Sequence, residues 1–119
     1  MTTIEPLIIK IKPGAKLIGV DLHKEDLQNA ALQNADLRSV DFTGANLSNA
    51  NLAWANLDGA NLTDANLSGA DLTRADVTNA TLSPGTDFTG ARLWGADFEG
   101  CDAFYAVVRD TDSWSQKEY

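Results

Sequence analysis

The chain has one cysteine and one histidine in 119 residues. A single thiol, Cys101, excludes an internal disulfide. A single imidazole, His23, excludes multi-histidine metal sites, and with no partner evident in the sequence it leaves Ser-His-Asp and Cys-His chemistry incomplete. Nothing resembles a phosphate-binding loop. No apolar run is long enough for a signal peptide or a spanning helix, so the expected location is the cytoplasm, with no membrane partner. Basic residues are scarce: nine Lys and Arg against 17 Asp and Glu give a net charge of −8 and a pI near 4.3. Such a chain repels phosphate backbones, which argues against direct nucleic-acid binding. Asp and Asn at turns are usual Ca²⁺ ligands, but the loop spacing of calcium motifs is missing. The expectation is a protein that is not an enzyme, with no catalytic residue, no cofactor and no metal.

What the chain does have is a period. From Ala30 to Leu82 a small apolar residue, an Asp or Asn, a large apolar residue and two variable polar residues recur every five positions. Five residues turn an α-helix by about 500°, so successive leucines would form no stripe. In a long strand an odd period would alternate them between faces. Asn, Asp, Gly, Ser and Thr are also poor helix residues. A short extended piece followed by a corner fits instead, with Ala and Leu inward and the Asp or Asn between them outward. The last residue of the unit is repeatedly Gly or Asn, as in Asn34, Gly44, Asn49, Gly59 and Gly69. These types accept a positive φ and so predict type II turns. Ser39, Trp54, Asp64 and Arg74 depart from the pattern, and their corners are expected to be open or of another type.

The repeated Ala-(Asp/Asn)-Leu-X-X unit, over about residues 15–108, resembles the pentapeptide-repeat family. The resemblance implies an all-β fold: a right-handed quadrilateral parallel β-helix of about five coils, four pentapeptides to a coil. The expected interior columns are Leu17, Leu37, Leu57, Val77, Phe98; Leu22, Phe42, Leu62, Leu82, Ala103; Leu27, Leu47, Leu67, Phe88, Val108; and Leu32, Leu52, Leu72, Leu93. Cys101 takes the small inward position, as a buried stand-in for Ala.

Three segments are expected: an N-terminal capping strand over 1–14, the β-helix over 15–108, and a cap or tail over 109–119 that folds Trp114 over the far end. In the first, Leu7 to Lys12 reads as a strand ended by the Pro13-Gly14 turn, serving as a lid on an open solenoid end. The opening units are irregular, with Val20 and Glu25 where Ala is expected, and Glu25 should escape at the rim or meet a lysine. After Leu82 one residue is added across Ser83-Pro84-Gly85-Thr86, placed most cheaply as a corner bulge that leaves the coils in phase.

Two functions are expected from this surface. The first is a rigid interaction module for a protein partner, as a monomer or weak end-to-end dimer. Its candidate face carries Trp54, Arg74, Arg92 and Trp94, with the Arg74 guanidinium on the Trp54 indole one coil away. The second is implied by the resemblance, since some family members mimic duplex DNA and bind DNA gyrase. Between Asp26 and Val108 stand eleven carboxylates against three arginines. A rod of about five coils at about 4.8 Å spans about 24 Å, over which duplex DNA carries about 14 charges. The rod reaches near half that density, with Asn46, Asn51, Asn56, Asn61 and Asn66 diluting its middle.

Overall fold

A computed structural model describes residues 10–101. Its unit is a parallel ladder in which each second-position residue pairs with its counterpart 20 positions later, as Asp36 does with Asn56 and Asn56 with Asp76. Four pentads therefore close one coil, and the chain winds as a β-helix. The bridges are single residues, because each extended piece ends at a corner before a longer strand can form.

The backbone donors of one pentad explain its composition. The Ala55 N–H closes the preceding turn on Leu52 O at 3.0 Å, and the Asn56 N–H reaches back one coil to Ala35 O at 2.9 Å. The N–H groups of Leu57 and Gly59 reach forward one coil, to Asp76 O at 2.6 Å and Thr78 O at 2.9 Å. One donor remains, the N–H of Asp58 at the head of the corner, and Asn56 Oδ1 accepts it at 3.0 Å. A half-buried donor left unpaired would be destabilising. The same side-chain bond recurs at Asp21, Asp26, Asp36, Asp41, Asn46, Asn51, Asn61, Asn66, Asp71, Asp76, Asp87 and Asp97. Wherever the second position is Asp or Asn it is thus the acceptor of its corner, half-buried along the middle coils, and more than the outward row expected from the sequence.

The corners are more uniform than their residues. Ser39, Trp54, Asp64 and Arg74 have φ of 60°, 64°, 57° and 57°, beside 68° at Gly44 and 73° at Gly59. Each is closed by the usual bond across the turn, as from Ala55 N–H to Leu52 O and Ala75 N–H to Leu72 O. The expectation of open or different corners at these four is therefore corrected. Ladder bonds from the corner residue itself, such as Trp54 N–H to Thr73 O at 2.9 Å, hold it in the left-handed region whatever its side chain.

Inside, Leu37, Phe42, Leu47, Leu52, Leu57, Leu62, Leu67, Leu72, Phe88, Leu93 and Phe98 are all buried, as are Leu17, Leu22, Leu27, Leu32 and Val77. Leu82 is only partly buried. Phe88 and Phe98 meet edge to face, centroids 5.6 Å apart. Val20 is half-buried and Glu25 exposed. Cys101 is half-buried and donates its thiol to Val77 O at 3.0 Å. Thr86 repeats this arrangement, its hydroxyl donating to Leu62 O at 2.7 Å. A small polar side chain fits the inward row when a turn carbonyl lies within its reach.

The added residue lies in the Ser83-Pro84-Gly85 corner. Thr86, expected within the slip, is instead the small inward residue of the next pentad, 4% exposed. Beyond it the ladder step becomes 21, as in Asn66 with Asp87 and Asp76 with Asp97. Gly85 does not take the left-handed conformation of the other corners, and a Cβ there would collide with Asp64 Oδ1.

Pro13-Gly14 forms a corner of the repeating kind, with Gly14 at φ 74° and its N–H on Gln33 O at 2.9 Å. Lys10 is helical and Ile11 packs half-buried against the core. The rest of the expected N-terminal strand lies outside the described residues, as do Ala103, Val108, the 109–119 cap and Trp114. Among the described residues no helix is long and apolar enough to cross a membrane.

Candidate functional site

The corner is where this fold displays side chains, and one column of corners carries Asn34, Trp54, Arg74 and Gly95. Trp54 precedes Arg74 by one coil, so the two side chains stand on successive layers of the ladder. The Arg74 guanidinium carbon lies over the Trp54 ring, 5.3 Å from its centroid, and over the Trp94 ring, 4.4 Å from its centroid. Trp94 sits one position earlier in its corner than Trp54 does, and Gly95 fills the position beneath Arg74. Space decides that arrangement: a Cβ on Gly95 would lie 3.0 Å from Arg74 Cγ.

The result is a cation within cation–π distance of two indoles, one from the coil before it and one from the coil after. It remains accessible, with Trp54 59% and Trp94 38% exposed. Trp54 and Arg74 hold positive φ without the local side-chain hydrogen bonding that suits Asn or Asp to it. Arg92 is exposed on the same face, laddered to Asp71, and stands outside the stack. The structure thus brings Trp54, Arg74 and Trp94 together and leaves Arg92 beside them.

Charge is distributed unevenly around the rod. Among the described residues Arg38 pairs with Asp36 at 2.7 Å, and His23 Nδ1 lies 2.6 Å from Asp21 Oδ1. Among these residues neither Arg74 nor Arg92 makes an ion pair. Asp58 and Asp76 belong to the adjoining face with Asp97 and Glu99. The Asp58 carboxyl is held below its usual range, first by the Asn79 side-chain amide and then by the Thr78 hydroxyl.

His23 is less isolated than its sequence context suggests. Asp21, two residues back, and Asp41, one coil on, place their carboxylates with the imidazole, ligand atoms all within 4.8 Å of one another. Their oxygens already serve the corners: Asp21 Oδ1 accepts the His23 N–H at 3.0 Å, and Asp41 Oδ1 accepts the Thr43 N–H and hydroxyl at 2.9 and 2.6 Å. These bonds hold both carboxyls below their usual range, led at Asp21 by the His23 N–H and at Asp41 by the Thr43 hydroxyl.

The chain is similar to solved structures of the same architecture. It is 42% identical to a pentapeptide repeat protein from Nostoc Pcc 7120, with a TM-score of 0.63, the match covering 66% of this chain and 64% of that one. It is 37% identical to another from the cyanobacterium Cyanothece 51142, with a TM-score of 0.59, covering 75% of this chain and 56% of that one. The chain therefore spans roughly three fifths of the length of these relatives. No curated protein sequence matches it. The model for pentapeptide repeats matches residues 14–44, 45–83 and 85–112, in 8 copies, and on that evidence the chain belongs to the pentapeptide-repeat family.

Proposed function

We propose that the chain is a cytoplasmic, non-enzymatic interaction module: a right-handed quadrilateral rod of about five coils whose Trp54, Arg74, Trp94 and Arg92 face meets a protein partner. The observation that carries this reading is the exposed stack of Arg74 between Trp54 and Trp94. Tryptophan and arginine are the residue types that anchor interfaces, because each contributes a large contact area with few rotatable bonds or several fixed donors. The rigid ladder beneath them lowers the ordering cost of binding.

A duplex-DNA mimic acting on gyrase is less well supported. The second-position aspartates are tied to the corners and spread over all sides, and neutral asparagines separate them along the middle coils. Capture of partners from the native lysate tests the first reading, with wild type and the Trp54→Ala/Trp94→Ala variant as baits. Loss of a partner from the variant supports it, and identical recovery by both baits sinks it. Inhibition or protection of gyrase supercoiling at low micromolar protein, weakening with salt, would favour the mimic instead.

A further inference from the structure

We propose that the Arg74 stack and Arg92 recognise an acidic peptide segment of the partner, one carboxylate on each guanidinium. The inference rests on the interaction reading above and adds the chemistry of what is bound. A guanidinium has two faces and a rim of five N–H donors. The Arg74 guanidinium carbon lies over the Trp54 and Trp94 rings, at 5.3 and 4.4 Å from their centroids, and its N–H donors are the part left to bind. Among the described residues no hydrogen bond or ion pair occupies that rim, although the chain carries 17 acidic residues.

A carboxylate approaching in the guanidinium plane can take two parallel N–H bonds. The indole edges on either side shield those bonds from water and strengthen them. Arg92, exposed and laddered to Asp71, supplies a second cation that makes no ion pair among the described residues. Asp71 is the one carboxylate on this face among the described residues, and its Oδ1 already accepts the Thr73 N–H at 2.9 Å. The face is therefore locally cationic on a chain of net charge −8, which matches it to an acidic segment. A nucleic-acid strand fits less well, because the inner indole faces on which bases would stack are filled by Arg74.

The test is a titration of the full chain followed by the indole N–H resonances of Trp54 and Trp94. The probes are a Glu-rich octapeptide, its Gln-rich and Lys-rich counterparts, and an oligothymidylate of equal charge to the Glu peptide. Saturable shifts of both resonances with the Glu peptide alone are expected. Arg74→Gln should weaken that binding at least tenfold, and Arg74→Lys should not restore it, since an ammonium lacks the planar fork. Equal binding of the Gln peptide, preference for the oligothymidylate, unchanged affinity in Arg74→Gln, or no shift at millimolar Glu peptide would each overturn the proposal. If the Glu peptide fails while Trp54→Ala/Trp94→Ala still loses its lysate partner, the acidic-segment inference falls and the interaction reading stands. If neither depends on these residues, both fall.

Discussion

The Ser83 hydroxyl accepts the Asp64 N–H at 3.0 Å, standing where a backbone carbonyl serves the other corners of the ladder. It also donates to Asp64 Oδ1 at 3.0 Å and accepts the Gly85 N–H at 3.2 Å. One hydroxyl thus restores the pairing that the added residue interrupts. Ser83→Ala should cost about 0.5 to 1.5 kcal/mol in urea denaturation, because it removes the acceptor of the Asp64 N–H at an exposed corner. Ser48→Ala, in a regular corner, should cost less than about 0.5 kcal/mol.

The corner acceptors make a second prediction. Asn61 Oδ1 takes both the N–H and the hydroxyl of Thr63, at 3.0 and 2.6 Å. Asn61→Ala should therefore cost about 1 kcal/mol, where an outward surface residue would cost almost nothing. Asn61→Ser should fall between, since its hydroxyl makes the same turn more weakly. Ala31 occupies the equivalent place without an acceptor, so Ala31→Asn should stabilise the chain by about 0.5 to 1 kcal/mol. The shift of the urea midpoint reads each sign.

Core and inner row should respond in opposite senses to size. Leu57 and Leu62 are fully buried, and truncation to Ala leaves a cavity the ladder cannot close, costing about 2 to 5 kcal/mol. Ala60 is as buried as its leucine neighbours, and Ala60→Leu should overpack it by about 1 to 3 kcal/mol. Chemical denaturation of these three variants checks the assignment.

The aspartates predict acid sensitivity. Asp21, Asp36, Asp41 and Asp58 are all held below the usual carboxylate range, Asp36 chiefly by the Arg38 guanidinium. As pH falls the unfolded chain protonates first, near about 3.9. The stability these groups contribute is therefore fully present above that value and is lost as pH falls through their lower folded values. Urea midpoints should therefore change little on account of these groups between pH 7 and 5, where their contribution is complete, and decline below about pH 4. Asp58→Asn should shallow the decline.

A pair of glycine variants separates the aromatic stack from backbone strain. Gly19 and Gly95 have φ of 72° and 74°, but a Cβ meets nothing within 4 Å at Gly19 and lies 3.0 Å from Arg74 Cγ at Gly95. Gly19→Ala should cost about 1 to 2 kcal/mol from the left-handed backbone alone. Gly95→Ala should cost more and should also change the near-ultraviolet circular dichroism of the tryptophans.

Spacing made much of this legible. The five-residue period excluded a helix, and the 20-residue step brought Arg74 onto Trp54 before any coordinates were needed. The second indole is harder to foresee, because the residue added near Pro84 leaves Trp94 one position earlier in its corner than Trp54 and Gly95 must make room for Arg74. The corner role of the Asp/Asn row was missed for a different reason. Alternation of side chains assigns that row to the outside, yet any polar residue would suffice for solubility, and the restriction to a side-chain carbonyl or carboxylate was itself the signal. At Ser39, Trp54, Asp64 and Arg74 local preference was outweighed by ladder bonds from neighbouring coils.

Because four pentads close a coil, sequence position on this chain acts as an angular coordinate. Removing 20 residues, such as 45–64, shortens the winding and leaves every later side chain pointing as before. Removing five swings everything downstream through a quarter turn, and would part Trp54 from Arg74 without emptying a single core site. Length can therefore change freely by whole windings, while the bearing of one face relative to another is fixed by the remainder.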